Sequence, residues 1–110
     1  MIGVIFSYIN EIVEVRIDGS NCLFRTQQFG GALCPLDNLR IDKHGALKEF
    51  PDLKDNPDWK KITIQRFKDK MKTMNTETER MNYLIQDLKK YGYVPIRFQR
   101  AGHRPIKIKQ

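Results

Sequence analysis

The 110-residue chain is poor in the residues that mark special scaffolds. Its two cysteines, Cys22 and Cys34, are too few for a disulfide framework and suit a reducing compartment, so a cytoplasmic protein is expected. Seven glycines and five prolines exclude collagenous and low-complexity chains. The longest apolar run, from Met1 to about Ile9, falls well short of the roughly 20 residues that a spanning helix needs, and no basic segment precedes it. Neither a membrane anchor nor a signal peptide is expected. What is present, 40% hydrophobic and 30% charged residues, suits one compact domain over residues 1–110, long enough to bury a core without metal or disulfide staples.

Acidic residues are scarce in one half only. Residues 1–57 hold six basic and eight acidic side chains, a net of −2, whereas residues 58–110 hold fourteen basic and five acidic ones, a net of +9. The whole surplus behind the charge of +7 and the pI near 9.6 lies in the C-terminal half. A polyanionic partner follows as the first expectation.

The pattern predicts an α+β fold: an N-terminal antiparallel sheet built from hairpins, then two helices and a C-terminal β-hairpin. In the β-rich part, residues 1–50, Val13, Val15 and Ile17 alternate with Glu14, Arg16 and Asp18, the period of a half-buried strand. Gly19-Ser20 supplies a two-residue turn that sets Ile17 opposite Cys22, Val15 opposite Phe24 and Glu14 opposite Arg25. The segment up to Ile9 is apolar on both faces, as in a central strand, and Asn10 turns it into the next one. A second hairpin is expected from Leu39-Arg40-Ile41 and Ala46-Leu47 around Lys43-His44-Gly45. Residues 51–57 read as a polar connector with two prolines.

The remaining part, residues 58–110, reads as helix, helix, hairpin. Asn56-Pro57-Asp58 predicts a helix start with Asn56 as N-cap, and Trp59, Thr63, Phe67, Met71 and Met74 recur at helical spacing. Thr76-Glu77-Thr78-Glu79 fits a capping box for a second helix that buries Leu84, Ile85 and Leu88, with Gly92 as its stop. After it, Val94, Ile96 and Phe98 alternate with Pro95, Arg97 and Gln99, and Ile106 and Ile108 with Lys107 and Lys109. Ala101-Gly102-His103-Arg104 would join these two strands. The expected core includes Val15, Phe24, Trp59, Phe67, Leu84 and Leu88.

Catalytic and metal-binding patterns do not emerge. Cys22, Cys34, His44 and His103 lack the spacing of structural zinc modules, so they read as a buried thiol, a loop thiol and surface histidines. Gly30-Gly31 lacks the remaining glycines and the Lys-Ser/Thr of a phosphate loop. Pro51-Asp52 with Asp58-Trp59-Lys60 has too short an interval for a metal-dependent nuclease, and Asp58 suits a helix start. No cofactor, no metal and no enzymatic activity are expected.

From Asn56 onward, about half the chain, the order is helix, three-residue turn, helix, hairpin, and the stretch from Leu84 to Lys109 within it resembles the recognition helix and wing of winged-helix DNA-binding proteins. On that helix Asn82, Tyr83, Gln86 and Lys90 would face outward, able to reach base edges and phosphates. The same strands have another reading, in which they extend the N-terminal sheet and their cations protect its edge. The sequence therefore predicts a small, non-enzymatic protein that binds nucleic acid, DNA or RNA. Phosphates would meet Arg97, Arg100, Arg104 and Lys107 with Lys89 and Lys90, and the helix would add Asn82 and Gln86. The alternative is a protein-interaction module, an inhibitor or adaptor, whose basic surface meets an acidic protein.

Overall fold

The turn at Gly19-Ser20 shows how local chemistry sets the fold. A computed structural model describes residues 1–27, 30–100 and 106–107, with residues 99, 100, 106 and 107 described by backbone placement. In it β1 (Ile2–Tyr8), β2 (Glu11–Asp18) and β3 (Asn21–Arg25) form a meander. Gly19 takes the positive φ of 61° that the tight turn requires. The β2–β3 pairs Asp18–Asn21, Ile17–Cys22, Val15–Phe24 and Glu14–Arg25 match the register read from the sequence. The β1–β2 turn places Asn10 at φ 61° and Ile9 at φ 44°, a geometry that Asn tolerates and that strains a β-branched residue.

Two more strands extend the β1 side: β5 (Val94–Arg100) pairs with β1, and β6 (Ile106–Lys107) pairs with β5. With the two-residue β4 (Cys34–Pro35) on the other edge, the antiparallel order is β4-β3-β2-β1-β5-β6. This is an α+β fold, and its C-terminal strands join the central sheet instead of forming a separate wing. The expected joining turn at residues 101–104 lies outside the described residues.

Among the described residues three helices lie on one side of the sheet: α1 (Lys43–Glu49), α2 (Trp59–Met71) and α3 (Glu77–Lys89). The strands send Val4, Phe6, Val15, Ile17 and Phe24 into that side, where Ile64, Phe67, Leu84 and Leu88 of the helices meet them. Each such Leu or Phe contributes about 1.5–3 kcal/mol through burial. Trp59, expected in the core, is only half-buried against it. Thr76 caps α3 by accepting from the Glu79 amide at 3.0 Å, as the capping box predicts. Gly92, at φ 94°, ends the segment, and the Tyr93 amide donates back to the Leu88 carbonyl at 3.1 Å.

Three expectations need correction. The segment read as a second hairpin is α1, because the Asp42 carboxylate accepts from the Gly45 amide at 2.8 Å and caps a helix whose inner side is the buried Ala46. Helix α2 begins at Trp59 behind Asp58, since the Asn56 side chain accepts from the Asp58 amide at 2.9 Å within a preceding turn. The polar connector also holds a 3-10 turn, Pro51–Leu53, that buries Leu53.

Gly45 offers a test of this packing. A Cβ there would lie 2.9 Å from the Tyr91 ring, which is itself buried. Gly45→Ala gains about 1 kcal/mol of helix propensity but overpacks a fixed ring at about 1–3 kcal/mol. Urea unfolding should therefore show a net loss of stability, and a gain would contradict the tight α1–Tyr91 contact.

Candidate nucleic-acid interface

Among the described residues no helix covers the other face of the sheet, and a bulge decides what that face carries. Pro95 has no amide hydrogen to give to the ladder, and the β1–β5 register slips beside it: Phe6 pairs with Pro95, but Ile5 pairs with Arg97. Ile96 is the extra residue. Strict alternation puts Val94 and Ile96 on the apolar side with Phe98, but Pro95 is buried opposite Phe6 and Val94 is 48% exposed opposite Ser7. The bulge leaves Phe98 packed against the core and Ile96 37% exposed. Arg97, paired with Ile5, is exposed on the open face.

The consequence is one transverse row across five strands: Arg25, Glu14, Ile5, Arg97 and the Lys107 position are successive register partners. Strands lie about 4.8 Å apart, so Arg25 and Arg97 attach about 14 Å from each other. The next row holds Leu23, Arg16, Gly3 and the Gln99 position. Glu14 is buried between two arginines, with Arg25 Nη2 at 2.9 Å and Arg16 in direct contact through Nε. One carboxylate thus offsets one of the two cations. Exposed Ile12 and Val94 flank the rows, and a depression of about 330 Å³ lies among Ile5, Ile12, Glu14 and Arg25.

The predicted site residues do not form one surface. Asn82, Gln86 and Lys89 are exposed along the outer stripe of α3, on the helical side of the sheet, while Arg97 is on the opposite side. Tyr83, expected outward with them, is half-buried against the core, and burial with Asp87 beside it pushes its phenol far above the usual range. Lys90 is held by Glu49 and Asp87, both at 3.3 Å, which reduces its value as a phosphate contact. Because β5 runs antiparallel to β1, Arg100 pairs with Ile2 at one end of the sheet. Lys89, at the C-terminal end of α3, precedes the other end of the strand. Arg97 and Lys107 are brought together as a register pair. Arg104 lies outside the described residues.

Sequence reasoning missed Arg16 and Arg25 as members of this face. The signal was available: both alternate with the core residues of their strands. Ion pairing with Glu14 makes them look purely structural. Among the described residues no group of three or more His, Cys, Asp or Glu side chains could hold a metal ion, and no helix is long and apolar enough to cross a membrane. No family model matches the chain, and neither does any curated protein or solved structure.

Proposed function

We propose that this protein is a small, non-enzymatic nucleic-acid-binding protein that contacts phosphates across the open sheet face and its β5–β6 edge. The observation that carries the reading is the row in which Arg25, Arg97 and Lys107 are aligned with a single acid, Glu14. It ends in the acid-free segment after Asp87, which supplies Arg97, Arg100, Arg104, Lys107 and Lys109. Arginine can place two donors on one phosphate, so Arg97 is the principal contact and Lys107 a point charge beside it. The open face carries no described aromatic side chain, which favours backbone contacts over base stacking. Two free cysteines suit a reducing cytoplasm as the place of action.

The test compares two variants of equal charge change. Arg97→Glu/Lys107→Glu should weaken binding to labelled DNA and RNA at least tenfold. Lys48→Glu/Lys54→Glu, on the helical side, should change it by less than about threefold. Log K of the parent should fall with log salt by about 0.9 per neutralised phosphate on duplex and about 0.7 on single strands. Equal losses in both variants, or no binding at low salt, would defeat the proposal.

A second reading draws on the exposed Ile12, Val94 and Ile96 beside the same cations, a mixture that fits an acidic protein surface with apolar anchors. It becomes the better account if nucleic acids fail to bind and the Arg97→Glu/Lys107→Glu variant loses a protein captured from native extract.

A further inference from the structure

The β4 edge of the sheet holds a different site. Among the described residues strand β4 pairs with Leu23 and Phe24, and no strand lies on the outer side of Asn21 and Cys22 at the start of β3. A cleft of about 600 Å³ opens there, closed on its other side by Lys68 and Met71 of α2, Lys72 just beyond it and Arg80 of α3. Its size is that of a small-molecule site. Three cations and no carboxylate line it among the described residues, and Ser20, Asn21 and Gln65 add neutral hydrogen-bonding groups.

The cations are not equally committed. Lys68 is in contact with Asp37, outside the cleft. Lys72 meets Asp69 only at 3.5 Å, with both side chains mostly in solvent, a pairing that a competing anion readily displaces. Arg80 donates from Nη1 to the Met74 carbonyl at 2.8 Å, and its Nε is buried with no acceptor. Lys72, weakly held by Asp69, and Arg80, which also feels the Glu77 carboxylate, are therefore the cations a ligand can engage, a pair suited to a phosphate monoester near its dianionic state at neutral pH. Beside them the Cys22 and Met71 sulfurs, 4.0 Å apart, form an apolar wall.

We propose that this cleft binds a small organic phosphate monoester, with its phosphate on Lys72 and Arg80 and its apolar body against Met71 and Cys22. The site binds without reacting. Burial pushes the Cys22 thiol up despite Lys68 and Arg80, so it stays protonated, and among the described residues no histidine or carboxylate lines the cleft as a base. This site is separate from the open sheet face and does not depend on it.

The test uses phenyl phosphate as the probe, with phenol and inorganic phosphate as its two halves, on a Cys34→Ser background in which Cys22 is the remaining thiol. Titration calorimetry should show phenyl phosphate binding at least tenfold tighter than either half at constant ionic strength. Saturating phenyl phosphate should slow iodoacetamide alkylation of Cys22 at least tenfold. Lys72→Glu, at an exposed position, should weaken binding at least tenfold with an unchanged melting temperature, and Arg80→Gln should do so wherever it still folds. Arg97→Glu/Lys107→Glu should leave phenyl phosphate binding intact, which separates this site from the nucleic-acid interface. Inorganic phosphate binding as tightly as phenyl phosphate, absence of protection, or full binding by Lys72→Glu would each overturn the proposal.

Discussion

Replacing Tyr93 with alanine is expected to cost about 3–5 kcal/mol of folding stability, the range for deleting a fully buried aromatic ring. Tyr93 is 1% exposed, stacks on Tyr8 with ring centroids 4.0 Å apart and meets the edge of Phe6 at 5.7 Å. Its hydroxyl donates to the Arg40 carbonyl at 2.5 Å, and burial holds the phenol well above its usual pKa. One side chain therefore ties the start of β5 to the end of β1 and to the segment before α1. Tyr93→Phe separates the two contributions: it keeps the ring contacts and removes one hydrogen bond, for a loss of about 1 kcal/mol. Urea unfolding of the two variants checks the ranking. If Tyr93→Phe costs as much as Tyr93→Ala, the hydroxyl and not the stack holds this corner together.

The parts of the fold that could be read in advance are those where two local signals agree. For β2 and β3, alternation and turn chemistry specify the same register, and Glu14–Arg25 pairing adds a charge match. For α3, the Thr76 cap and the apolar stripe through Met81, Leu84, Ile85 and Leu88 start and orient the same helix. Helix α1 escaped because seven residues give too few apolar positions to fix a period, and Gly45 argues locally against a helix. Its glycine is explained by the Tyr91 ring, a neighbour 46 positions away in sequence.

The candidate sites were less legible than the fold for a related reason. Phosphate binding needs only charge at suitable separations, so the sequence can locate cations but not assign them to a common surface. Lys89 and Arg97 lie eight positions apart in the chain, yet they belong to opposite sides of the sheet. Arg25 and Arg97 are distant in sequence and share one row. The bulge beside Pro95 decides that outcome, because it exposes Ile96 and lets Arg97 reach the open face without displacing Phe98 from the core. Proline gives a local hint of a broken ladder, but the direction of the slip is set by what β1 offers as partner. Likewise Asn21, Lys72 and Arg80 meet through the packing of three elements, and no spacing in the chain announces their cleft.

Glu14→Gln should move stability and nucleic-acid affinity in opposite directions. The Glu14 carboxylate is buried between Arg16 and Arg25, so its neutral isostere loses two charge-assisted contacts. The arginine side chains are 23% and 41% exposed and can turn to water, which limits the loss to about 1–3 kcal/mol. On the open face the same change releases one positive charge beside Ile5 and Arg97. An added charge close to a phosphate in water is worth about 1 kcal/mol, roughly a fivefold gain in affinity. The salt slope should steepen by about 0.7–0.9, the contribution of one more neutralised phosphate. A variant that melts earlier yet binds DNA or RNA more tightly cannot be explained by damage to the fold, and it locates the phosphate near Arg16 and Arg25. If affinity stays level or falls while the variant remains folded at the assay temperature, phosphates do not approach this face, and the open-sheet interface is wrong.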